Sequence, residues 1–379
     1  MKKKLLQISN DFADQKIYVN LVKRLSERGF EQIVYVPVRW KEKIDGNRDD
    51  SIKDVTYHYS YILKRNPLFK LRFHRKINII LKDLEGKIDP GTIGLAHAHF
   101  LFSDGAVAYR LKQKYNIPYI VSVRATDIHT FFAYMIHLRR LGNKIMGEAE
   151  KVIFINYSYK QVFDKKYRMA FLKEANDKFL VIPNAIDDAW FEHPPQNKAI
   201  HDPVRLLYVG RIIRRKKLDI VIKALKKLNK ENNNRFRLDV VGDGKFRKEV
   251  QKIADDNVMF HGNIGSISEL KNIYNQSHIF VMPALRETFG LVYIEALSQG
   301  LPIIYCRGEG VDGFFDEGSV GCAISPNSIK QVGDAIFNIL KHYGPMSSQA
   351  IKESKKFNWN EITNKYAEVY QTAFDRAQG

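Results

Sequence analysis

The chain has 379 residues, 45% of them apolar and 27% charged, an ordinary balance for folded domains and too much sequence for one core, so two domains are expected. A net charge of +19 draws phosphates, acidic lipids or nucleic acid to the surface without choosing among them. Two cysteines, Cys306 and Cys322, exclude a disulfide framework and a zinc site, and no apolar run reaches the roughly 18 residues of a membrane span, so neither a signal peptide nor a transmembrane helix is expected and a cytoplasmic setting is.

Short β-rich runs alternate with helical patterns almost from end to end, the mark of parallel sheets covered by helices on both faces. In the first half the pattern predicts strands at residues 5–9, 32–37, 55–61, 93–98, 119–123 and 152–155, with helices such as 15–28 and 106–114 between them. Lys64, Arg65, Lys70, Arg72, Arg75 and Lys76 form a basic cluster without acids, while Phe69, Phe73, Ile77, Ile80 and Leu84 recur at helical spacing. Such a helix packs its apolar stripe on a sheet, and its basic rim either attracts anionic lipid or is simply solvated. Phe131, Phe132, Tyr134 and Met135, followed by Arg139 and Arg140, offer a second edge of the same kind.

A polar, proline-containing segment, 187–203, then interrupts the alternation and reads as a linker. A second series follows it, with strands at 205–209, 237–241, 258–261, 279–283 and 302–306 and helices at 217–229 and 291–299. The fold class this implies is α/β, two Rossmann-like parallel-sheet domains facing across a cleft. The last pattern, from Trp359 to Ala373, is an amphipathic helix outside either sheet.

Chemistry concentrates in the second half. The strand Leu206-Leu207-Tyr208-Val209 ends in Gly210-Arg211, and Lys216 lies five positions on; a guanidinium and an ammonium at that spacing can converge above a strand end and neutralise a diphosphate without a metal ion, or they can belong to a solvated basic helix start. Gly242-Asp243-Gly244 is a tight turn after the next strand. Glu287-Thr288-Phe289-Gly290-Leu291-Val292-Tyr293-Ile294-Glu295 follows Pro283, and a helix starting near Gly290 would aim its first amides at a phosphate. Glu287 then lies in the loop and Glu295 about a turn and a half inside the helix, so one carboxylate can hold a hexose and the other a ribose, or they are an N-terminal acid and a surface glutamate.

Glu287 to Glu295 resembles the two-glutamate signature of retaining glycosyltransferases with the GT-B fold, in particular glycosyltransferase family 4. The surrounding order is similar too: Ile182-Pro183-Asn184, Val209-Gly210-Arg211 with Lys216, Val241-Gly242-Asp243-Gly244, Phe260-His261-Gly262-Asn263-Ile264, and Gly300-Leu301-Pro302-Ile303. The resemblance implies that Arg211 and Lys216 bind a nucleotide-sugar diphosphate, that Glu287 holds the sugar and Glu295 the ribose, and that Ile264 lies near the base. Gly210, Gly242, Thr288, Phe289, Gly290 and Leu291 complete the expected donor side, the last three presenting backbone. It further implies retention of anomeric configuration, with the leaving phosphate assisting deprotonation of the acceptor hydroxyl. UDP is the default base. No Asp-x-Asp anchor occurs, so neither a metal nor any other cofactor is expected.

The first half resembles the family more loosely. His97-Ala98-His99-Phe100 and Ser122-Val123-Arg124-Ala125-Thr126-Asp127 match its two strand-end motifs, but Arg124-Ala125 stand where histidine and glycine are common, and the first loop, Ser9 to Asp14, lacks glycine. Asp127 is carried as a catalytic-loop acid, with His99 and Arg124 on the acceptor side. The domains implied are 1–186 for the acceptor, 187–358 for the nucleotide-sugar, and 359–379 as a helix returning to the first. The activity implied is transfer of a hexose to a saccharide or lipid-linked saccharide acceptor in surface polysaccharide or glycolipid synthesis, with the basic cluster touching the inner membrane face. A sugar-nucleotide epimerase of the same architecture and a basic nucleic-acid-binding protein are the alternatives; no aromatic-basic recognition motif supports the latter.

Overall fold

The structure is a computed structural model that describes residues 3–63, 72–173, 176–192 and 199–378. Its contacts divide the chain into two units, and the final helix, Trp359–Gln378, belongs to the first.

The first unit is built on seven strands, β1 (Lys4–Ile8), β2 (Gln32–Val38), β3 (Val55–Tyr61), β4 (Ile93–Ala98), β5 (Tyr119–Val123), β6 (Lys151–Phe154) and β7 (Phe179–Val181). They pair in parallel in the order β3-β2-β1-β4-β5-β6-β7, with Leu6 of β1 facing Ile33 of β2 on one side and Ala96 of β4 on the other. The order reverses between β1 and β4, so the loops after these two strands part company and leave a crevice at their carboxyl ends. Strands β2, β4 and β5 are wholly buried, which is why they read as largely apolar runs, with Gln32, His97 and Ser122 as their polar members.

Helix Lys16–Ser26 buries Tyr18, Leu21, Val22 and Leu25, and helix Phe73–Glu85 buries Phe73, Ile77, Ile80 and Leu84, the face that helical spacing predicts. The basic rim of the second helix is not uniform. Arg72 and Arg75 are exposed, but Lys76 is only 6% exposed and turns inward, which corrects its assignment to a solvated or membrane-facing rim; Lys64, Arg65, Phe69 and Lys70 lie outside the described residues. The expected aromatic edge is also divided: Phe132 is fully buried against Tyr167, while Tyr134 and Ile136 are exposed. The final helix covers the same unit through Tyr370, whose hydroxyl lies 2.7 Å from Nδ1 of His97, and through Asn360 and Asn364, which accept hydrogen bonds from Arg28.

The second unit carries β8 (Val204–Val209), β9 (Phe236–Val241), β10 (Val258–Gly262), β11 (Ile279–Met282), β12 (Ile303–Cys306) and β13 (Gly321–Ile324), parallel in the order β10-β9-β8-β11-β12-β13. Its reversal falls between β8 and β11. The stretch after Asn184 is less of a linker than its polarity suggests: Trp190 is buried edge-on against Tyr274, its carbonyl accepts from Gln299, and the remaining Pro194-Pro195 portion lies outside the described residues.

Candidate active site

The loops that follow β8 and β11 meet at the reversal point of the second sheet. After β8 the chain runs through Gly210 and Arg211 to a short turn, Arg214–Lys216, and after β11 through Pro283 to helix Leu291–Ser298. The loops are tied to each other by their backbones: the Leu285 amide donates to the Arg215 carbonyl at 2.8 Å, and the Arg215 guanidinium donates to the Arg286 carbonyl at 2.9 Å. Across this junction the ammonium of Lys216 donates to Oε2 of Glu287, and both side chains are buried. Oε1 of Glu287 accepts from the Thr288 amide at 3.1 Å.

Neighbouring loops are held by the same device. The Gly210 amide donates to Val241, the Gly242 amide to Gly262, and the Ile212 amide to Asp243, so the ends of β8, β9 and β10 form one tied rim. Gly242 adopts φ +128°, and a Cβ there would run into the Gly210 carbonyl; the close approach, not a ligand, already explains the glycine. Ile264 is half-buried just past β10.

Gly290, at φ +81°, caps helix Leu291–Ser298, as the sequence reading expects. The first amides of such a helix have no acceptor within it and carry the positive end of its dipole, so they favour an anion beside Gly290 and Leu291. Phe289 sends its ring into a cluster with Phe314 and Phe357, which leaves only its backbone for a ligand. Thr288 is committed through its carbonyl, which accepts from Asn156. Glu295 sits half-buried under a hydrogen bond from the Tyr274 hydroxyl, 3.3 Å, and burial pushes its carboxyl up to about 7. Arg211 is exposed at the mouth of the loop. The structure thus gathers Lys216, Glu287 and the Gly290 helix end at one place, where a cation and oriented amides can meet a diphosphate and a carboxylate can meet hydroxyls.

One participant was not anticipated. Glu309, in Gly308-Glu309-Gly310 after β12, sits beside the backbone amides of Arg286 and Glu287, which pull its carboxyl down, and the Gly310 amide donates to the Glu287 carbonyl at 3.2 Å, so this turn braces the loop that carries Glu287. Burial, first of all, raises its carboxyl above the ordinary range. A Cβ on Gly310 would press on Glu287 Cγ and the Phe289 carbonyl, both at 3.0 Å. A glutamate between two glycines just past a strand end is the available sequence signal.

In the first unit the expected residues are buried. Asp127 accepts from the amides of Leu101 at 3.2 Å, Phe102 at 3.2 Å and Arg124 at 2.9 Å, so it clasps two strand-end loops. Its carboxyl is raised to about 6 by burial, against which the three amides act. Arg124 is buried as well, donating from Nε to the His99 carbonyl and lying over the Tyr18 ring at 5.7 Å. His99 is held beneath Tyr18, 4.9 Å ring to ring, with Nε2 2.9 Å from Gln7, and burial keeps it neutral. What that loop exposes is Thr126. Among the described residues no group of three or more His, Cys, Asp or Glu side chains is arranged to hold a metal ion, and no helix is long and apolar enough to cross a membrane.

Two family models match the chain in succession: Glycosyltransferase Family 4 over residues 15–190 and Glycosyl transferases group 1 over residues 191–357. An uncharacterized glycosyltransferase of Methanocaldococcus jannaschii is 23% identical over 366 residues, covering 94% of this chain and 93% of its own. The alpha-monoglucosyldiacylglycerol synthase of Acholeplasma laidlawii is 24% identical over 334 residues, 82% of this chain and 80% of the synthase. Among solved structures, HepE of Anabaena in complex with UDP matches with a TM-score of 0.71 at 16% identity, over 98% of this chain and 100% of HepE, a likeness of fold.

Proposed function

Because the chain belongs to glycosyltransferase family 4, with the two parallel-sheet units of the GT-B fold, we propose that it moves a hexose from a UDP-sugar to a saccharide or lipid-linked saccharide, with retention of anomeric configuration and without a metal ion. The observation that carries this reading is the buried Lys216 and Glu287 pair at the reversal point of the second sheet, beside the Gly290 helix end.

The diphosphate draws Lys216 away from Glu287 and lies on the amides at Gly290 and Leu291, with Arg211 closing over it from the exposed side. Glu287, released from its cation, accepts hydrogen bonds from the hexose hydroxyls, and Glu295 accepts from the ribose. As the bond between anomeric carbon and phosphate oxygen lengthens, negative charge grows on the leaving diphosphate, where Lys216, Arg211 and the helix-end amides stabilise it. No protein carboxylate is assigned as nucleophile; the leaving phosphate oxygen takes the acceptor hydroxyl proton on the same face.

For the acceptor, the alpha-monoglucosyldiacylglycerol synthase supports a lipid or lipid-linked substrate, and the UDP complex of HepE supports the choice of base. Exposed Arg72 and Arg75, with Tyr134 and Ile136, suit shallow contact with an anionic membrane face. A thermal-shift panel of UDP-, GDP- and ADP-hexoses tests the reading: selective stabilisation by UDP-hexoses is expected, and no stabilisation by any of them removes it.

A further inference from the structure

At the carboxyl ends of β1, β2, β4 and β5, over the reversal point of the first sheet, lies a cavity of about 370 Å³. Its deepest cation is Lys76, which enters from helix Phe73–Glu85 and is only 6% exposed. Among the described residues its ammonium has neither a hydrogen bond nor an ion pair. The nearest buried acid, Asp104, is instead engaged by the amide side chain and backbone of Asn10, at 2.8 and 3.4 Å, and acts on Lys76 only through the field. Arg39 stands at the exposed rim and repels Lys76. Lys43 on the same rim is neutralised by Asp14, which leaves Lys76 and Arg39 opposed by Asp11 alone among the lining acids. Trp40, Phe100 and Phe131 line the wall beside them.

A buried ammonium without a partner is an expensive arrangement, and one that faces a cavity beside a second cation is relieved by an anion entering between them. Burial, with Arg39 next, has pulled the Lys76 ammonium down to about 8, and an entering anion acts in the opposite direction, favouring the charged form. The aromatic side chains in the wall suit the apolar face of a sugar ring or the first isoprene units of a lipid carrier, while Thr126 and Asn10 border the space with polar atoms. The size is right for one sugar residue with its charged substituent and too small for a longer chain to be enclosed.

We propose that this cavity takes the acceptor and selects an anionic one, a saccharide or lipid-linked saccharide whose phosphate or carboxylate oxygens lie between Lys76 and Arg39. This rests on the transfer reaction proposed above and adds the chemical class of its second substrate. Lys76 is a specificity residue: it touches the acceptor away from the hydroxyl that reacts.

The test is equilibrium binding to the full chain of glucose 1-phosphate, glucuronic acid, farnesyl phosphate, inorganic phosphate and neutral methyl glucoside, each at low and high salt, with UDP titrated into the same samples. The charged sugars or the lipid phosphate are expected to bind at least about tenfold more tightly than methyl glucoside, with the preference shrinking in salt. Lys76→Met should lose that preference and Lys76→Arg keep most of it, with UDP affinity unchanged in both. Arg39→Gln, at the exposed rim where folding is not at stake, should weaken the charged probes about threefold. Preference for glucose 1-phosphate over farnesyl phosphate identifies a sugar phosphate, and the reverse a lipid phosphate; both support the proposal. Equal binding of neutral and charged sugars, an unchanged Lys76→Met, or inorganic phosphate binding as tightly as the sugar phosphate overturns it. Any of these with UDP binding intact leaves the donor reading standing, whereas a wild-type chain that does not bind UDP removes that reading and this one together.

Discussion

Lys216 and Glu287 lie 71 positions apart in sequence and form an ion pair buried where the loops after β8 and β11 meet. A buried pair of opposite charges holds the donor-free site neutral, and each member is a group that a nucleotide-sugar can claim: the cation by the diphosphate, the carboxylate by sugar hydroxyls. Lys216→Ala should lower kcat/KM by roughly 10²- to 10³-fold and weaken UDP and UDP-hexose alike. Glu287→Ala should cost as much in turnover but weaken UDP-hexose more than UDP, since only the hexose contact is lost. Because removal of one partner strands the other's charge, each single variant should melt several degrees lower, and the double variant should lose less than the two combined. Calorimetry and steady-state rates on the four proteins check this; full activity in either single variant would remove the assignment.

Glu309 acts through the Glu287 loop. Glu309→Ala removes the carboxylate that sits beside the amides of Arg286 and Glu287 and loosens the loop between Arg286 and Gly290. We expect kcat to fall about tenfold with little change in UDP affinity, and Glu309→Gln to recover most of the loss, since it fills the same space with one oxygen kept beside those amides. Rates and UDP titrations on both variants read this out.

Much of this was legible in advance and some was not. Strands β2, β4, β5 and β8 are buried almost throughout, so each is a largely apolar run with a single polar residue, Gln32, His97, Ser122 or Arg205, and its sequence bounds it to within a residue or two. β13, Gly321-Cys322-Ala323-Ile324, was missed because it is short and made of small residues. A side chain on Gly321 would strike the Ile303 carbonyl of β12, so packing has removed the very bulk by which strands are recognised. The Glu287 helix start was legible because its chemistry is local. Glu309 was not, since its partners are backbone amides of another loop, which leave no side-chain pattern. For Asp127, Arg124 and Lys76 the sequence gives a charge and no surroundings, and only the tertiary structure shows that amides, a ring and a cavity receive them.

Glu295 should make nucleotide binding depend on pH. Its carboxyl stands at about 7 against an ordinary 4.5, and ribose hydroxyls donate better to the ionised form. UDP affinity should therefore rise between pH 6 and 8, with a proton released on binding at the lower end, and Glu295→Gln should flatten the profile. The sign for stability is opposite: the folded chain holds this proton more tightly than the unfolded one, so the contribution is present below about 4.5 and lost as pH rises through about 7. Calorimetric titrations in buffers of different ionisation enthalpy detect the proton.

His97 gives an acid limit to stability. It is buried between the Tyr370 hydroxyl, 2.7 Å from Nδ1, and the Ser122 hydroxyl, 2.9 Å from Nε2, and burial followed by Arg124 lowers it to about 3 from 6.5. The unfolded chain takes up a proton below 6.5 that the folded chain refuses, so stability falls as pH drops from 6.5 toward about 3. Tyr370→Phe, which removes one partner and loosens the final helix, should cost about 1 kcal/mol in urea denaturation while kcat stays unchanged.

A crystal structure with UDP bound tests the donor site most directly. The diphosphate is expected on the amides at Gly290 and Leu291, with Lys216 Nζ turned from Glu287 to a phosphate oxygen and the ribose against Glu295. Nucleotide density elsewhere on the chain, with the Lys216 and Glu287 pair still closed, would contradict it.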